Sequence, residues 1–300
     1  MSKQKFVAKK FSKATKKIID QANVIITEYM ADGFKLTLRQ LYYQFVARAL
    51  LPNSQKSYSR LGSILNNARL AGEVDWSAIE DRTRNMKQLA HWDSPADIME
   101  SVANQFRVSP WTNQDVYIEV WIEKEALTGV IQPICRELDV PFLACRGYLS
   151  QSEQYAAALR FQEHYDDGRS PYVLHLGDHD PSGIDMTRDN NDRLALFTGG
   201  VVEVRRLALN MDQVRKHKPP PNPAKSTDAR FASYKDTYGS ESWELDALDP
   251  RTLAKLIKTE VESLVDQGVW AQTKAENAEG RANLQRVADE WEGVLEFLDE

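Results

Sequence analysis

The stretch PYVLHLGDHDPSGIDMT, Pro171 to Thr187, decides how this chain is read. An apolar run from Tyr172 to Leu176 stops at two carboxylates, Asp178 and Asp180, and is followed by Pro181, Ser182, Gly183 and a helical pattern. Strand, acidic turn and helix, in that order, place side chains at the carboxyl end of a parallel sheet, where α/β domains bind ligands. Residues two apart on extended chain point to the same side, so Asp178 and Asp180 are expected to converge on one hard cation. A divalent ion held there handles phosphate.

The same rhythm extends outward. Strands are expected at 115–122, 140–145, 171–176 and 200–207, separated by helices at 125–138, 151–165 and 183–196. Such alternation implies a mainly parallel sheet flanked by helices. The first strand ends in Glu123-Lys124-Glu125-Ala126, on the edge that also carries Asp178 and Asp180, so three carboxylates meet along one crest. Magnesium accepts one or two protein carboxylates and fills its shell with water or phosphate. Acidic turns at strand ends are also common in structural roles.

Upstream, Lys3, Lys5, Lys9, Lys10, Lys13, Lys16 and Lys17 form a basic arm that runs into a helix through Ile18, Ala22, Ile25 and Tyr29. Thr37 with Gln40 three residues on is a capping-box signature, opening a helix to about Leu50 that Pro52 stops. A third helix, about Ser57 to Ala71, buries Leu61, Ile64, Leu65 and Ala68. Three short helices and a segment at Glu73–Trp76 able to form a small hairpin predict a winged-helix module over residues 1–90. Residues 83–113 read as irregular to weakly helical, with a connector over 91–114, and 115–250 form the α/β domain. Within the latter, 218–242 is a polar loop or flap that opens on Pro219, Pro220, Pro221 and Pro223. Two amphipathic helices over 251–300 close the chain, one on Leu253, Ile257, Val261 and Leu264, the other on Leu284, Val287, Trp291, Leu295 and Leu298.

Charge divides with the domains. The 300 residues carry a net charge of −6, yet residues 1–90 hold 16 Lys and Arg against 7 Asp and Glu, a net +9, while the remainder holds 22 against 37. A basic N-terminal third fits a polyanion such as double-stranded DNA, although a basic tail on an acidic, soluble remainder gives the same split. Arg60, Ser63 and Asn67 on the third helix, with Lys9 and Lys10 on the arm, are the candidate DNA contacts. Cys135 and Cys145 lack the spacing of a zinc ribbon or a disulfide framework, and no run of about 18 apolar residues is present. The expected setting is therefore the cytoplasm, associated with the nucleoid, with no membrane partner.

On α-helical geometry, Leu38, Leu41, Tyr42, Phe45 and Ala49 share one apolar stripe, so Tyr42 is the expected core tyrosine and Tyr43 lies off the stripe. Arg39 and Tyr43 are four apart and share a face. A guanidinium there steadies a phosphate and favours a phenolate nucleophile. The same pair also reads as a surface tyrosine stacked under an arginine.

Glu123 within IEKEA, Gly147 after the second strand, and Asp178-His179-Asp180-Pro181-Ser182-Gly183 resemble the Toprim domain of the A subunit of DNA topoisomerase VI and its meiotic double-strand-break relatives. Thr37-Leu38-Arg39-Gln40-Leu41-Tyr42-Tyr43 resembles the Arg-x-x-Tyr-Tyr segment on that family's CAP-like winged helix. The likeness runs over about residues 35 to 215, and more weakly through Trp243–Leu248. It is greatest to the compact stand-alone A-subunit-like proteins of bacterial mobile elements. Gln40 stands where that family usually has an acid, and Arg146–Ser150 is a loose version of its loop.

The resemblance implies magnesium, with manganese as a substitute, on Glu123, Asp178 and Asp180. It implies Tyr43 as nucleophile with Arg39 assisting, and a homodimer in which tyrosine and metal come from different subunits. No P-loop is present, so ATP-driven gating would need a separate ATPase subunit. The activity so implied is a type IIB topoisomerase-like DNA cleavage through a 5′-phosphotyrosyl link. Two rivals stand beside it: a Toprim endonuclease that hydrolyses DNA without a covalent intermediate, and a non-catalytic DNA-binding assembly factor.

Overall fold

The computed structural model describes residues 3–79 and 89–299. Its centre is a four-stranded parallel sheet in the order β2-β1-β3-β4, formed by β1 (Val116–Ile122), β2 (Phe142–Ala144), β3 (Ser170–Leu176) and β4 (Glu203–Ala208). Alternation along the strands divides the side chains between two faces. Ile118, Val120 and Ile122 of β1, with Leu174 and Leu176 of β3, pack beneath α5 (Thr128–Glu137) and α10 (Pro250–Leu264). Trp121 and Val173 face α6 (Gln151–Asp166) and α7 (Pro181–Thr198) through Ala157, Phe161 and Leu194. Burial on both faces is why these strands read as nearly continuous apolar runs.

Glu119 is the exception within β1. Its buried carboxylate accepts bonds from Arg160 at 3.0 and 3.1 Å, Tyr117 Oη at 2.9 Å and Trp121 Nε1 at 2.8 Å. Four donors offset the cost of burying a charge that one missing partner would leave exposed to the apolar interior.

The N-terminal unit is built on α1 (Lys13–Ala31), α2 (Leu38–Ala47) and α3 (Gln55–Leu70). They bury a second core around Ile25, Tyr29, Leu41, Phe45, Leu61 and Leu65. The capping box forms in full, Gln40 N donating to Thr37 Oγ1 and Thr37 N to Gln40 Oε1. The basic arm docks on α3, where Phe6 N and Val7 N both donate to Leu70 O and Phe6 sits edge-on to Trp76 at 5.6 Å. The hairpin expected at Glu73–Trp76 does not form among the described residues. Asp75 caps a 3₁₀ turn at Trp76–Ala78 instead, and Ile79 makes one parallel bridge to Leu36. The asparate-serine pair supplies a local turn that competes with strand pairing.

The expected connector is in part a capped helix, α4 (Pro95–Gln105), with Ser94 Oγ accepting from Asp97 N. Residues 83–88 of the stretch read as irregular lie outside the described residues. Beyond the sheet come α8 (Met211–His217) and then the proline-rich flap, whose two ends pair as β5 (Asn222–Pro223) with β6 (Glu241–Ser242) around α9 (Phe231–Tyr238). The last predicted helix is two: α11 (Gln267–Asp289) and α12 (Trp291–Asp299) meet at Glu290, which ends the first. No described helix is long and apolar enough to cross a membrane.

The N-terminal helices rest on the segment after β6. Tyr29 Oη donates to Asp249 Oδ2 at 2.7 Å, Arg251 reaches Asp32 at 2.8 Å, and Ala247 enters the N-terminal core. The carboxyl edge of the sheet is thereby brought against α2.

Candidate active site

β1 and β3 are in parallel register, Ile122 opposite Leu176, so their exits lie side by side. Glu123 leaves β1 and its Oε2 accepts from Asp178 N at 2.8 Å. Asp178, 7% exposed, accepts from Leu245 N at 2.8 Å with Oδ1 and meets Lys124 Nζ at 2.8 Å with Oδ2. Asp180 is the N-cap of α7, its Oδ1 accepting from Gly183 N at 2.6 Å and Ser182 Oγ at 3.2 Å. Gly183 is required by this turn: a Cβ there would fall 2.2 Å from Asp178 O.

Arg206 on β4 fixes the turn from behind. Its guanidinium donates to the carbonyls of Gly177, Asp178, Gly183 and Leu209 and to Thr187 Oγ1. Burial lowers its pKa to about 10 despite the nearby carboxylates. His179 is walled in by Tyr234, Tyr238 and Trp243 and shares a 2.8 Å hydrogen bond with Tyr234 Oη. Its backbone also bridges Trp243, tying the acidic turn to the flap. It is held neutral, its pKa lowered to about 4 chiefly by burial.

The sequence WELDAL forms this bridge and a 3₁₀ turn, Leu245–Ala247, that presents Glu244 and Asp246 to α2. Arg39 Nη2 lies 2.9 Å from Glu244 Oε2, and Arg39 Nε lies 2.8 Å from Asp246 Oδ2. Lys124 meets the same two acids from the sheet side, bonding Glu244 and standing 3.3 Å from Asp246 Oδ1. Its ammonium is a resident cation within three carboxylates.

Tyr42 and Tyr43 are each 4% exposed. Tyr42 pins the α2–α3 turn, its hydroxyl accepting from Ser54 N at 2.7 Å and donating toward Pro52 O and Ser54 O. Tyr43 is covered although it lies off the stripe of its own helix, because the Glu244–Ala247 turn packs on that face. Its ring centroid is 5.8 Å from the Arg39 guanidinium carbon. Burial and the charges of Asp246 and Glu244 raise the pKa of its phenol, against the opposing pull of Arg39.

Tyr43 and Arg39 line a cavity of about 440 Å³ together with Asp180 and Glu244. Tyr58 and Gln55 of α3 and Lys225 of the flap line it too. The resemblance implies a phenol and a metal from different subunits; here Tyr43 shares a cavity with Asp180 and Glu244 of the same chain, whereas Glu123 and Asp178 do not line it.

Among the described residues no three His, Cys, Asp or Glu side chains stand in finished ligand geometry. The donor chemistry nevertheless fits a hard ion: every donor is a carboxylate oxygen, and Glu123 Oε1 and Asp180 Oδ2 have no hydrogen-bond partner among the described residues. Glu123, Asp178, Asp180, Glu244 and Asp246 face Lys124, Arg39 and Arg206, with Lys225 also acting on Glu244, a formal excess of one negative charge. Burial, then the neighbouring Glu123 and Glu244, push Asp178 up to about 7 against the pull of Lys124, and burial also raises Glu123.

The candidate DNA contacts lie elsewhere, on the arm and α3. Asn67 Oδ1 accepts from Lys9, which fastens the arm, and Ser63 Oγ donates to Ser59 O within its own helix. Arg60 and Lys10 are exposed and without hydrogen-bond partners among the described residues. Lys124, Arg206, Tyr58 and Lys225 were given no role by the sequence; only Lys124, next to Glu123, lay within a motif.

No protein-family model matches the chain, and no curated protein matches it.

Proposed function

We propose that this chain cleaves DNA by transesterification, with Tyr43 as nucleophile on a winged-helix-like N-terminal unit and the acids on a Toprim-like α/β unit. The observation that carries the reading is the shared cavity: Tyr43 and Arg39 from α2 line one small volume together with Asp180 from the crest of the parallel sheet and Glu244 from the turn after β6. Neither half performs the chemistry alone.

Arg39 exchanges Glu244 and Asp246 for the phosphoryl oxygens of the substrate, its planar fork donating to two of them at once. The released carboxylates accept the phenol proton. Tyr43 Oη forms a bond to phosphorus, the bond from phosphorus to the 3′ oxygen breaks, and that oxygen leaves with the electron pair and takes up a proton. A 5′-phosphotyrosyl link results. Glu123 and Asp180, with Asp178 beside them, would hold magnesium or manganese, which when bound supplies positive charge to the phosphoryl and departing oxygens. Lys124 balances the acids. A homodimer would present two such centres to double-stranded DNA, one for each strand, and any ATP-driven step belongs to a separate subunit.

The raised pKa and slight exposure of Tyr43 favour one other reading, hydrolysis by the acidic group with Tyr43 only positioning the strand. One assay separates them. Supercoiled DNA is incubated with the protein and magnesium or manganese, denatured in detergent and examined for DNA attached to protein. Attachment that Tyr43→Phe abolishes supports transesterification; cleavage unchanged in that variant, with free 5′ phosphates, supports hydrolysis and overturns the proposal.

A further inference from the structure

We infer that the cavity takes one unpaired nucleotide, so that locally melted or single-stranded DNA, rather than a fully paired duplex, is the form this site binds. The inference rests on the DNA-cleaving reading and narrows its substrate.

Size is the first argument. Tyr43 is 4% exposed, so a phosphate meets its hydroxyl only by entering the cavity. About 440 Å³ is the volume of a small-molecule site, adequate for one nucleotide. A duplex, whose major groove alone is about 12 Å wide, cannot enter a space of that size.

The walls carry the second argument, because they match a nucleotide part by part. Arg39 and Lys225 supply positive charge for phosphate, and the exposed Lys225 acts on Glu244 through its charge without a close ion pair among the described residues. Tyr58 supplies an aromatic ring. It meets Tyr42 edge to face, with centroids 5.4 Å apart and planes at 71°, and it lines the cavity while half-buried against the N-terminal core. Gln55 and Asn222 supply amide groups able to pair with a base edge. Stacking on an aromatic ring beside a cationic track is the chemistry of single-strand binding, whereas a paired base has no free Watson–Crick edge to offer.

The flap holds this arrangement together. Asn53 Nδ2 donates to Pro221 O and to Asn222 Oδ1, both at 3.1 Å, joining the α2–α3 turn to the flap beside the cavity. The enclosure is therefore built from both units of the chain.

The test is equilibrium binding by fluorescence anisotropy, at one fixed salt concentration and with chelator present so that no cleavage occurs. The probes are a fully paired duplex and the same duplex with a short unpaired bubble. The bubble is expected to bind about tenfold more tightly, the size of one base–aromatic stack. Tyr58→Ala should remove that preference, Tyr58→Phe should keep it, and Lys225→Ala should weaken both probes alike. Gln55→Ala, at an exposed position, should reduce the preference and decides the matter if Tyr58→Ala fails to fold. Equal affinity for both probes, or a preference that survives Tyr58→Ala or Gln55→Ala, overturns the inference. Covalent trapping on Tyr43 with equal affinities would sink this inference alone; a bubble preference without any cleavage would sink the DNA-cleaving reading instead.

Discussion

Arg39 Nε and Asp246 Oδ2 lie 2.8 Å apart, joining the helix that carries Tyr43 to the turn that follows the flap. Asp246 is almost wholly buried, while the Arg39 side chain is about half exposed. The arginine thus acts as the solvent-side cover of an acid that, among the described residues, has Lys124 as its other cationic partner. On the proposed function, a strand phosphate competing for Arg39 would have to displace Glu244 and Asp246, so binding and opening of the site would be one event.

Removing the cover should cost stability. Arg39→Ala leaves Asp246 buried with a single cation at 3.3 Å. A fully buried pair broken on one side costs roughly 3–5 kcal/mol, and the exposure of Arg39 reduces this to about 1–2 kcal/mol. Urea unfolding should show the midpoint falling accordingly, and pairing the change with Asp246→Asn should recover part of the loss. An unchanged midpoint would show that the contact contributes nothing.

The phenol of Tyr43 should titrate above the ordinary tyrosine value of about 10. Burial and two carboxylates favour its neutral form, so the folded state keeps a proton that the unfolded chain gives up. Folding stability associated with this group is present below that ordinary value and falls as pH rises through it. The ultraviolet titration difference between the wild type and Tyr43→Phe isolates the group. Asp246→Asn, which removes the largest of the neighbouring charges, should move it downward.

The parallel sheet was legible because its strands are covered on both sides. Ile118, Val120 and Ile122 face one pair of helices and Trp121 the other, which erases polar alternation and leaves apolar runs ending in Glu123 and Asp178. The capping box at Thr37 and Gln40 was legible because it is local. Tyr43 was harder. A helical wheel reports only a helix's own stripe, and the face carrying Tyr43 is buried by Glu244–Ala247, far along the chain. The convergence of Lys124 and Arg39 on the same two acids was hidden for the same reason. The break between α11 and α12 was also hidden, since Trp291 and Leu295 continue the apolar spacing across Glu290.

Lys124 should be exchangeable for a divalent ion in its electrostatic role. Lys124→Met deletes the charge and keeps most of the apolar stem, leaving Asp178, Glu244 and Asp246 unbalanced on the sheet side. Without added metal the variant should lose about 3 kcal/mol. Magnesium or manganese should then raise its melting temperature more than that of the wild type, because an ion that binds only the folded form stabilises it by mass action. Equal shifts in the two proteins would show that Lys124 and the ion do not share the acidic group.

His175 gives the fold an acid-side weakness. It lies on β3 beside the acidic turn, wholly buried, with Nδ1 2.8 Å from Thr187 Oγ1 and Nε2 without a partner. Burial, and then the charge of Arg206, lower its pKa to about 3, against about 6.5 in an unfolded chain. Between those values the unfolded chain binds a proton that the folded one refuses. The associated stability is therefore intact above about pH 6.5 and is lost as pH falls toward 3, by about 1.4 kcal/mol per unit through the middle of the range. His179 acts in the same direction, so the wild-type slope alone does not identify the group. Urea midpoints measured from pH 7 to pH 4 should fall less steeply in His175→Leu than in the wild type, by the equivalent of one proton. If the two slopes coincide, His175 is already protonated in the fold or reaches solvent, and the interior behind Asp178 is wetter than its burial implies.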